Sequence, residues 1–424
     1  MTHDIIVDLT GIDPESDEAL SITAVRQLRA QARDNAQLSF EALLEGDSPD
    51  LPLAERLAIA AFVASLHGDE RARTFYLDLY GDEGDADSLT DFLPTTSSRG
   101  PYGVYAEAGL KDENQEGPWY LAPHGLNPRL AAAFGFAHLL TLHPRDANPT
   151  QIAALAHAGF SADAVVSLAQ LISFLAFQLR VVHGLREIAG VDSPVLPTAD
   201  PAPLEGSAPT ASLDGGAFSV LTPHVEPTTH FVSHSLGWHA WVPDIPKDEL
   251  SAEQIDALID PQRANMPYFR LLARDPAALK ARTLTDLDIF FNTNGGVGRA
   301  ERELAATVTS RLNGCVYCAS VHSARAIAES GREADVERLL SQGVDADLGS
   351  SQWNAISKAA VALTQTPIAF GQPELQALRD AGYQLPEIVD IINAAAFFNW
   401  ANRLMLGLGE PELPARFATG AGKA

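Results

Sequence analysis

The stretch Ala300–His322, AERELAATVTSRLNGCVYCASVH, predicts two helices joined by a tight break. The Asn313-Gly314 pair ends a helix over Ala300–Leu312, because Gly favours the left-handed conformation at a helix end. A second helix is then expected to begin near Cys315. A hairpin of two helices folds the first helix back along the second, so this stretch indicates an α-helical fold.

The second helix of this hairpin carries thiols and an imidazole on one face. Cys315, Cys318 and His322 stand at positions i, i+3 and i+7, and the hairpin brings Glu303 toward the same face. A thiol in the first turn of a helix lies near unsatisfied N–H groups and the positive end of the dipole, which favours the thiolate. On this argument alone, Cys315 is the cysteine expected to form the thiolate. A carboxylate, an imidazole and two thiols are typical of a proton relay that feeds a nucleophile.

Two other interpretations of the cysteine pair stay open at this point: half of a zinc site, or two small core residues. Four-ligand zinc needs two ligands beyond the thiols, and His322 supplies only one nearby. Four histidines upstream could supply another, although their spacings match no standard site and favour solvated or core-capping roles: His224, His230, His234 and His239. A thioredoxin-type motif follows a strand, and no alternating strand pattern precedes Cys315. We therefore predict neither a metal nor a cofactor.

The chain contains an internal repeat. Residues 137–185 align with residues 360–408 at a constant offset of 223, and 13 of the 49 pairs are identical. Upstream, Ala54–Asp69 aligns with Ala300–Cys315 at an offset of 246. The difference of 23 residues indicates a net insertion in the first half, for which the polar stretch 81–103 is the expected place.

The repeat separates residues that both halves share from residues unique to one half. Arg403 matches Arg180 and Glu301 matches Glu55, so we interpret all four as structural, in an ion pair or a helix cap. The chemical groups of the hairpin align with other residue types in the first half of the repeat: Cys315 aligns with Asp69, Cys318 with Ala72, His322 with Tyr76 and Glu303 with Leu57. Their joint loss indicates one functional unit and selects Glu303 over Glu301 as the catalytic acid.

The repeat and the helical periodicity predict an all-α protein of two tandem domains. We place the first domain at residues 1–190, a Pro-, Ala-, Ser- and Gly-rich linker at 191–216 and the second domain at 217–424. Gly184 and Gly407 are expected near the ends of two equivalent long apolar helices.

Composition narrows the classes of function. The chain has 424 residues, and 55 acidic against 29 basic residues give a net charge of −26, which disfavours nucleic acid and membrane surfaces as partners. The N-terminus does not resemble a signal peptide, and the apolar stretch Val165–Phe177 is shorter than a membrane span. We therefore expect a cytoplasmic protein. Two cysteines exclude a disulfide framework.

The spacing Glu-x11-Cys-x2-Cys-x3-His resembles the alkylhydroperoxidase D / carboxymuconolactone decarboxylase superfamily, and the half from Thr222 onward resembles its peroxidase-related branch. The first half resembles the same domain without the reactive residues of this motif. The resemblance implies an all-α fold and a thiol peroxidase that reduces alkyl or hydrogen peroxides with electrons from a dithiol donor. In this scheme Cys318 attacks the peroxide, Cys315 resolves it, and Glu303 and His322 move the proton.

The resemblance also bears on the pocket, the rival functions and the assembly. Tyr317 stands where alkylhydroperoxidase D has His, and we expect it to bind substrate together with Phe398 and Asn402.

The alternatives to a thiol peroxidase are a lactone decarboxylase-like lyase, for which an intact dithiol is not needed, and a non-catalytic redox sensor or scaffold. Single-copy relatives form hexamers of three dimers, so the resemblance implies a homo-oligomer, a trimer of two-domain chains.

Overall fold

A computed structural model describes residues 4–48, 50–192, 194–199 and 209–417, and α-helices dominate it. The helices are α1 (Ile5–Thr10), α2 (Asp17–Arg26), α3 (Ala30–Leu44), α4 (Leu53–His67), α5 (Glu70–Gly81), α6 (Ala86–Thr90), α7 (Pro128–Leu142), α8 (Pro149–His157), α9 (Ala162–Ala189), α10 (Ala252–Ala257), α11 (Pro267–Leu272), α12 (Pro276–Phe291), α13 (Arg299–Asn313), α14 (Val316–Ser330), α15 (Glu333–Gln342), α16 (Ser351–Thr364), α17 (Gln372–Asp380) and α18 (Leu385–Leu408). The all-α prediction is confirmed.

The sequence repeat is also a repeat of helix bounds. Helix α4 and helix α13 begin and end at positions 246 residues apart, and the same offset relates the starts of α5 and α14. An offset of 223 relates both ends of α8 to those of α17, and the starts of α7 and α9 to those of α16 and α18. The division into domains at residues 190 and 217 stays a prediction, and positions 193 and 200–208 of the expected linker lie outside the described residues.

The two halves pack against each other along equivalent helices. Helix α9 lies along α18, and α3 packs on α12. In the core of this contact the Trp400 indole N–H donates to Gln170 Oε1 at 3.0 Å. Each half therefore covers an apolar helix face that the other half would otherwise expose to water.

Two equivalent buried arginines join the halves as helix caps. Arg180 Nε donates to Leu363 O at 2.7 Å and its Nη2 donates to Thr364 O at 2.9 Å, at the C-terminal end of α16. Arg403 Nη2 donates to Thr141 O at 3.2 Å, near the end of α7. These carbonyls have no partner within their own helices, so the arginines satisfy acceptors that burial would otherwise leave unpaired.

The two matching glutamates differ in their contacts. Glu55 accepts from Arg129 Nε at 3.0 Å. Glu301, in the first turn of α13, makes no hydrogen bond or ion pair with any residue that the structure describes. The predicted ion pair or cap is therefore present at Glu55, and at Glu301 none is formed with the part of the chain that the structure describes.

Helix α9 is longer than its apolar stretch predicts. It runs on to Ala189 and ends at Gly190, so Gly184 lies inside the helix instead of near its end. A Cβ at Gly184 would lie 2.9 Å from Ile392 Cδ1, and glycine therefore permits the close approach of α18. By length and composition α9 could cross a membrane, but 94% of its most apolar window is buried in the molecule, as in the core helix of a soluble protein.

Short extended segments connect parts of the chain that are distant in sequence. Strands β1 (Gly237–Ala240) and β2 (Gly409–Glu412) form an antiparallel pair that no alternating pattern predicts. In the stretch predicted as an insertion, Gly100 exchanges backbone hydrogen bonds with Thr366 of the second half. Farther along, Glu113 pairs with Arg311 at 2.7 Å. The loop region between α6 and α7 therefore lies against the second half.

Candidate active site

The helix break predicted at Asn313-Gly314 has the expected geometry. Helix α13 ends at Asn313, Gly314 has φ +80°, and Cys315 is the N-cap residue of α14. A Cβ at Gly314 would lie 3.1 Å from Arg145 Cδ, so a side chain here would crowd Arg145 of the first half in addition to being disfavoured by the backbone. The break thus fixes both cysteines relative to α13.

The two thiols are buried and differ in acidity. Cys315 and Cys318 are 1% and 5% exposed. Burial raises the pKa of Cys318, but a hydrogen bond from the Cys315 thiol, the His322 charge and a hydrogen bond from Asn402 together bring it below its ordinary value. Burial and the neighbouring Cys318 raise the pKa of Cys315 well above its ordinary value. Of the two thiols, Cys318 is therefore the one whose surroundings favour the thiolate.

This assignment corrects the helix-dipole argument, which favours Cys315. The Cys315 side chain makes no capping hydrogen bond to the first turn of α14. It acts instead as a donor to Cys318, so the thiol at the helix end stabilises a charge one turn further on. The position of Cys315 at the helix end therefore affects the thiol pKa values less than the hydrogen bond between the two cysteines does.

Glu303 and His322 form a buried charge-assisted pair. The His322 ring donates from Nδ1 to Glu303 Oε2 at 2.5 Å, and Arg299 Nε donates to Oε1 at 2.7 Å. Burial of Glu303, which is 1% exposed, raises its pKa, but the hydrogen bonds and charges of His322 and Arg299 leave the pKa below its ordinary value. The carboxylate fixes Nδ1 as the protonated nitrogen and leaves Nε2 to exchange a proton with a ligand.

Cys318 and His322 open onto an apolar cavity of about 270 Å³. The predicted residues Tyr317 and Phe398 line it, and the Phe398 ring meets the His322 ring edge-on at 4.1 Å. Much of the remaining wall is aromatic: Tyr268, Phe269, Phe290, Phe291 and Phe397. Such a wall suits an alkyl or aryl group more than a hydrated ion.

Asn402 lies behind Cys318 instead of in the cavity. It is fully buried, accepts from Asn313 Nδ2 at 3.0 Å and donates to Ser310 Oγ at 3.0 Å. Its hydrogen bond to Cys318 favours the thiolate. The prediction that Asn402 binds substrate is thus replaced by a role toward the thiol, because α18 presents this side chain to α13 and not to the cavity.

Among the charged residues of the cavity that sequence reasoning missed, two lie on α12. Arg282 is 6% exposed, lies over the rings of Phe397 and Trp400, and makes no hydrogen bond or ion pair within the described part of the chain. Asp286 lies one turn further along α12, and burial raises its pKa although Arg282 and His322 act against the change. The sequence signal that could have revealed these two residues is the presence of charged side chains on the buried face of α12.

The equivalent place in the first half contains no reactive group. Asp69, at the position of Cys315, caps Ala72 N at 2.9 Å and pairs with Arg186 at 2.6 Å. Tyr76, at the position of His322, is fully buried and donates to Gln178 Oε1. A cap, an ion pair and a neutral hydrogen bond thus replace the dithiol and the relay.

The four upstream histidines do not converge. His239 pairs with Glu412 at 2.8 Å, His234 stacks on Phe417, and His230 contacts the Thr229 hydroxyl. Within the residues that the structure describes, no group of three or more His, Cys, Asp or Glu side chains is arranged to hold a metal ion.

The comparison with protein-family models agrees with the motif. No curated protein matches the chain. Among solved structures, that of an uncharacterized peroxidase-related protein from Silicibacter sp. TM1040 is 27% identical, over 38% of this chain and 85% of that chain, with a TM-score of 0.33. Residues 276–365, which run from the start of α12 to the end of α16 and contain both cysteines, Glu303 and His322, match the model of the carboxymuconolactone decarboxylase family. That match confirms the resemblance drawn from the motif: residues 276–365 of this chain are similar to the carboxymuconolactone decarboxylase family.

Proposed function

We propose that the protein is a thiol-dependent peroxidase that reduces alkyl or hydrogen peroxides through a dithiol/disulfide cycle of Cys315 and Cys318. One observation carries the proposal: a thiol with a lowered pKa, Cys318, lies at the wall of an apolar cavity one helical turn from a histidine that a buried carboxylate orients. A nucleophile, a proton donor and a binding site for an alkyl group are the three components that this reaction needs.

In the oxidative half of the cycle, the Cys318 thiolate attacks the terminal oxygen of the hydroperoxide. The O–O bond breaks, the alkoxide leaves with its electron pair, and Cys318 becomes a sulfenic acid. His322 gives the Nε2 proton to the leaving oxygen, and Glu303 stabilises the imidazolium before that transfer. The product is an alcohol, or water when the substrate is hydrogen peroxide.

In the second step, the Cys315 sulfur attacks the Cys318 sulfenic acid. The sulfur–oxygen bond breaks, hydroxide leaves and takes the Cys315 proton as water, and a disulfide forms. The two residues are three apart in one turn of helix, so the ring closes within the chain. A dithiol then reduces the disulfide by exchange and is itself oxidised.

The test is consumption of a hydroperoxide with a dithiol as the only electron donor. Hydrogen peroxide, tert-butyl hydroperoxide and cumene hydroperoxide serve as substrates, with dithiothreitol as donor. We expect turnover with all three, and loss of turnover in Cys318→Ser. Thiol content unchanged by stoichiometric peroxide would contradict the proposal.

One observation favours a second candidate, a lyase that acts on a carboxylated substrate. Arg282 offers a buried guanidinium without a hydrogen-bond or ion-pair partner among the described residues, and such a group binds carboxylates well. A lyase needs no redox change of the dithiol. The measurement is turnover of a carboxylated substrate. If this turnover survives in the Cys315→Ser, Cys318→Ser double variant and is lost in Arg282→Met, the lyase is identified.

A further inference from the structure

The two cysteines open onto different cavities. Cys318 lines the aromatic cavity described above, and Cys315 lines a second cavity of about 210 Å³ that does not include Cys318. Tyr317 and Met405 line both cavities, so they form the wall between them. The dithiol therefore bridges two separate approaches from solvent.

The second cavity is built by both halves of the chain. The second half contributes Trp238, whose indole N–H donates to Met405 O at 3.0 Å, and Trp241, whose indole N–H donates to Glu410 Oε1 at 3.0 Å. The first half contributes Glu107, which is 7% exposed, and Arg145, whose Nη2 donates to Leu312 O at 3.2 Å. These hydrogen bonds hold the walls in place beside Cys315.

The chemistry of disulfide exchange selects the sulfur that a reductant attacks. The thiolate with the lower pKa is the better leaving group. The contacts of Cys318 favour its thiolate, and those of Cys315 do not. Cys318 should therefore leave and Cys315 should be attacked. An attacking sulfur approaches in line with the breaking bond, from the side of Cys315 that faces away from Cys318.

We propose that the second cavity is the reductant site, where a small uncharged dithiol attacks Cys315 while the aromatic cavity is kept for the peroxide. This inference rests on the proposed peroxidase function. One reductant thiolate bonds to Cys315 Sγ, the disulfide breaks, and Cys318 leaves as a thiolate. The second reductant thiol then displaces Cys315 from the mixed disulfide, and Cys315 takes up that proton. The dithiol becomes a disulfide, and two electrons restore the protein.

Three features select this class of reductant. The cavity is smaller than the pockets of about 300–1,000 Å³ that take drug-sized ligands. Cys315 is 1% exposed at its wall, so the flat surface of a protein reductant cannot reach the sulfur. Complete reduction needs two thiols in succession. A monothiol bound to Cys315 would fill the cavity and block the second monothiol, whereas the second thiol of a dithiol is already in place and completes the exchange. Two carboxyl groups, Glu107 and Glu410, against the one guanidinium of Arg145 in the cavity wall, together with the net charge of −26, disfavour anionic thiols.

Obstruction of the second cavity provides the first test. The protein disulfide is prepared with diamide, so the measurement does not depend on peroxide activity, and its reduction by dithiothreitol is followed by thiol release. Val104 is 44% exposed on the wall of the cavity, so Val104→Trp is expected to slow reduction by about tenfold or more by restricting access. The matched control is Val195→Trp, at a position that is 71% exposed and lines neither cavity. Equal rates for the two variants would overturn the proposal.

Mapping of the mixed disulfide in the unmodified chain provides the second test. The diamide-oxidised protein is mixed with 2-mercaptoethanol, quenched in acid and alkylated, and the adduct is located by tandem mass spectrometry. We expect the 2-mercaptoethanol adduct on Cys315 and the alkyl group on Cys318, and the reverse pattern would overturn the proposal. If peroxide fails to oxidise the thiols while the adduct forms on Cys315, the peroxidase function fails and the reductant site stands.

Discussion

Replacing Glu303 with Gln removes a buried negative charge without changing the shape of the side chain. The charge accepts hydrogen bonds from His322 at 2.5 Å and from Arg299 at 2.7 Å. A hydrogen bond to a charged group contributes about 1.5–3 kcal/mol. Because the His322 charge also favours the Cys318 thiolate, we expect most of this free energy to appear in the reaction with peroxide. That corresponds to a rate decrease of about 10- to 150-fold, at about 1.4 kcal/mol for each factor of ten.

The same substitution at Glu301 is the matched control. Glu301 lies two residues away on α13 and has no hydrogen bond or ion pair within the described residues. Stopped-flow measurement of thiol loss with one equivalent of peroxide gives the rate, and thermal unfolding gives the stability. We expect Glu301→Gln to react within about twofold of the unchanged protein and to lose less than about 1 kcal/mol of stability, the scale of a helix-dipole contact. A slow Glu301→Gln beside a fast Glu303→Gln would refute the assignment of the relay.

Three further outcomes are expected. Because the pKa of Cys318 lies below the ordinary thiol value of 9.0, its alkylation by iodoacetamide should speed up as pH rises through that lowered pKa, and His322→Gln should move the rise to higher pH. Mild peroxide should remove both free thiols without dimerising the chain, and thiol titration with non-reducing electrophoresis checks this. We also propose the trimer that the resemblance implies, so light scattering should give about three times the chain mass of 45.2 kDa.

The helix bounds around the dithiol could be predicted because local signals determine them. Asn313-Gly314 ends α13 where the sequence predicts, and Cys315 begins the next helix. The repeat offsets of 246 and 223 recur in helix bounds because the same capping positions recur. Gly184 was different, since its smallness serves contact with Ile392 on α18, and a pairwise contact of this kind leaves no mark in the local pattern.

The acidity of the thiols and the residues of the cavity walls could not be predicted from the motif alone. The order of the two cysteine pKa values depends on Asn402 and His322, and Asn402 comes from α18, which is distant in sequence. Arg282 enters the aromatic cavity from α12 for the same reason. Such effects depend on which helices pack together, and helical periodicity shows that a face is buried without showing what it meets.

The first half has lost every chemical group of the repeat but keeps two kinds of contact with the second half. Arg180 caps the end of α16, and this contact is structural. Arg145 packs on Gly314 and shares the cavity of Cys315 with Glu107, so the first half also forms part of the surroundings of one thiol. A merely structural partner would need only the first kind of contact. If the reductant enters where we propose, a half without chemistry of its own is retained because it completes the reductant site at Cys315, whereas the lining residues of the cavity at Cys318 come from the second half.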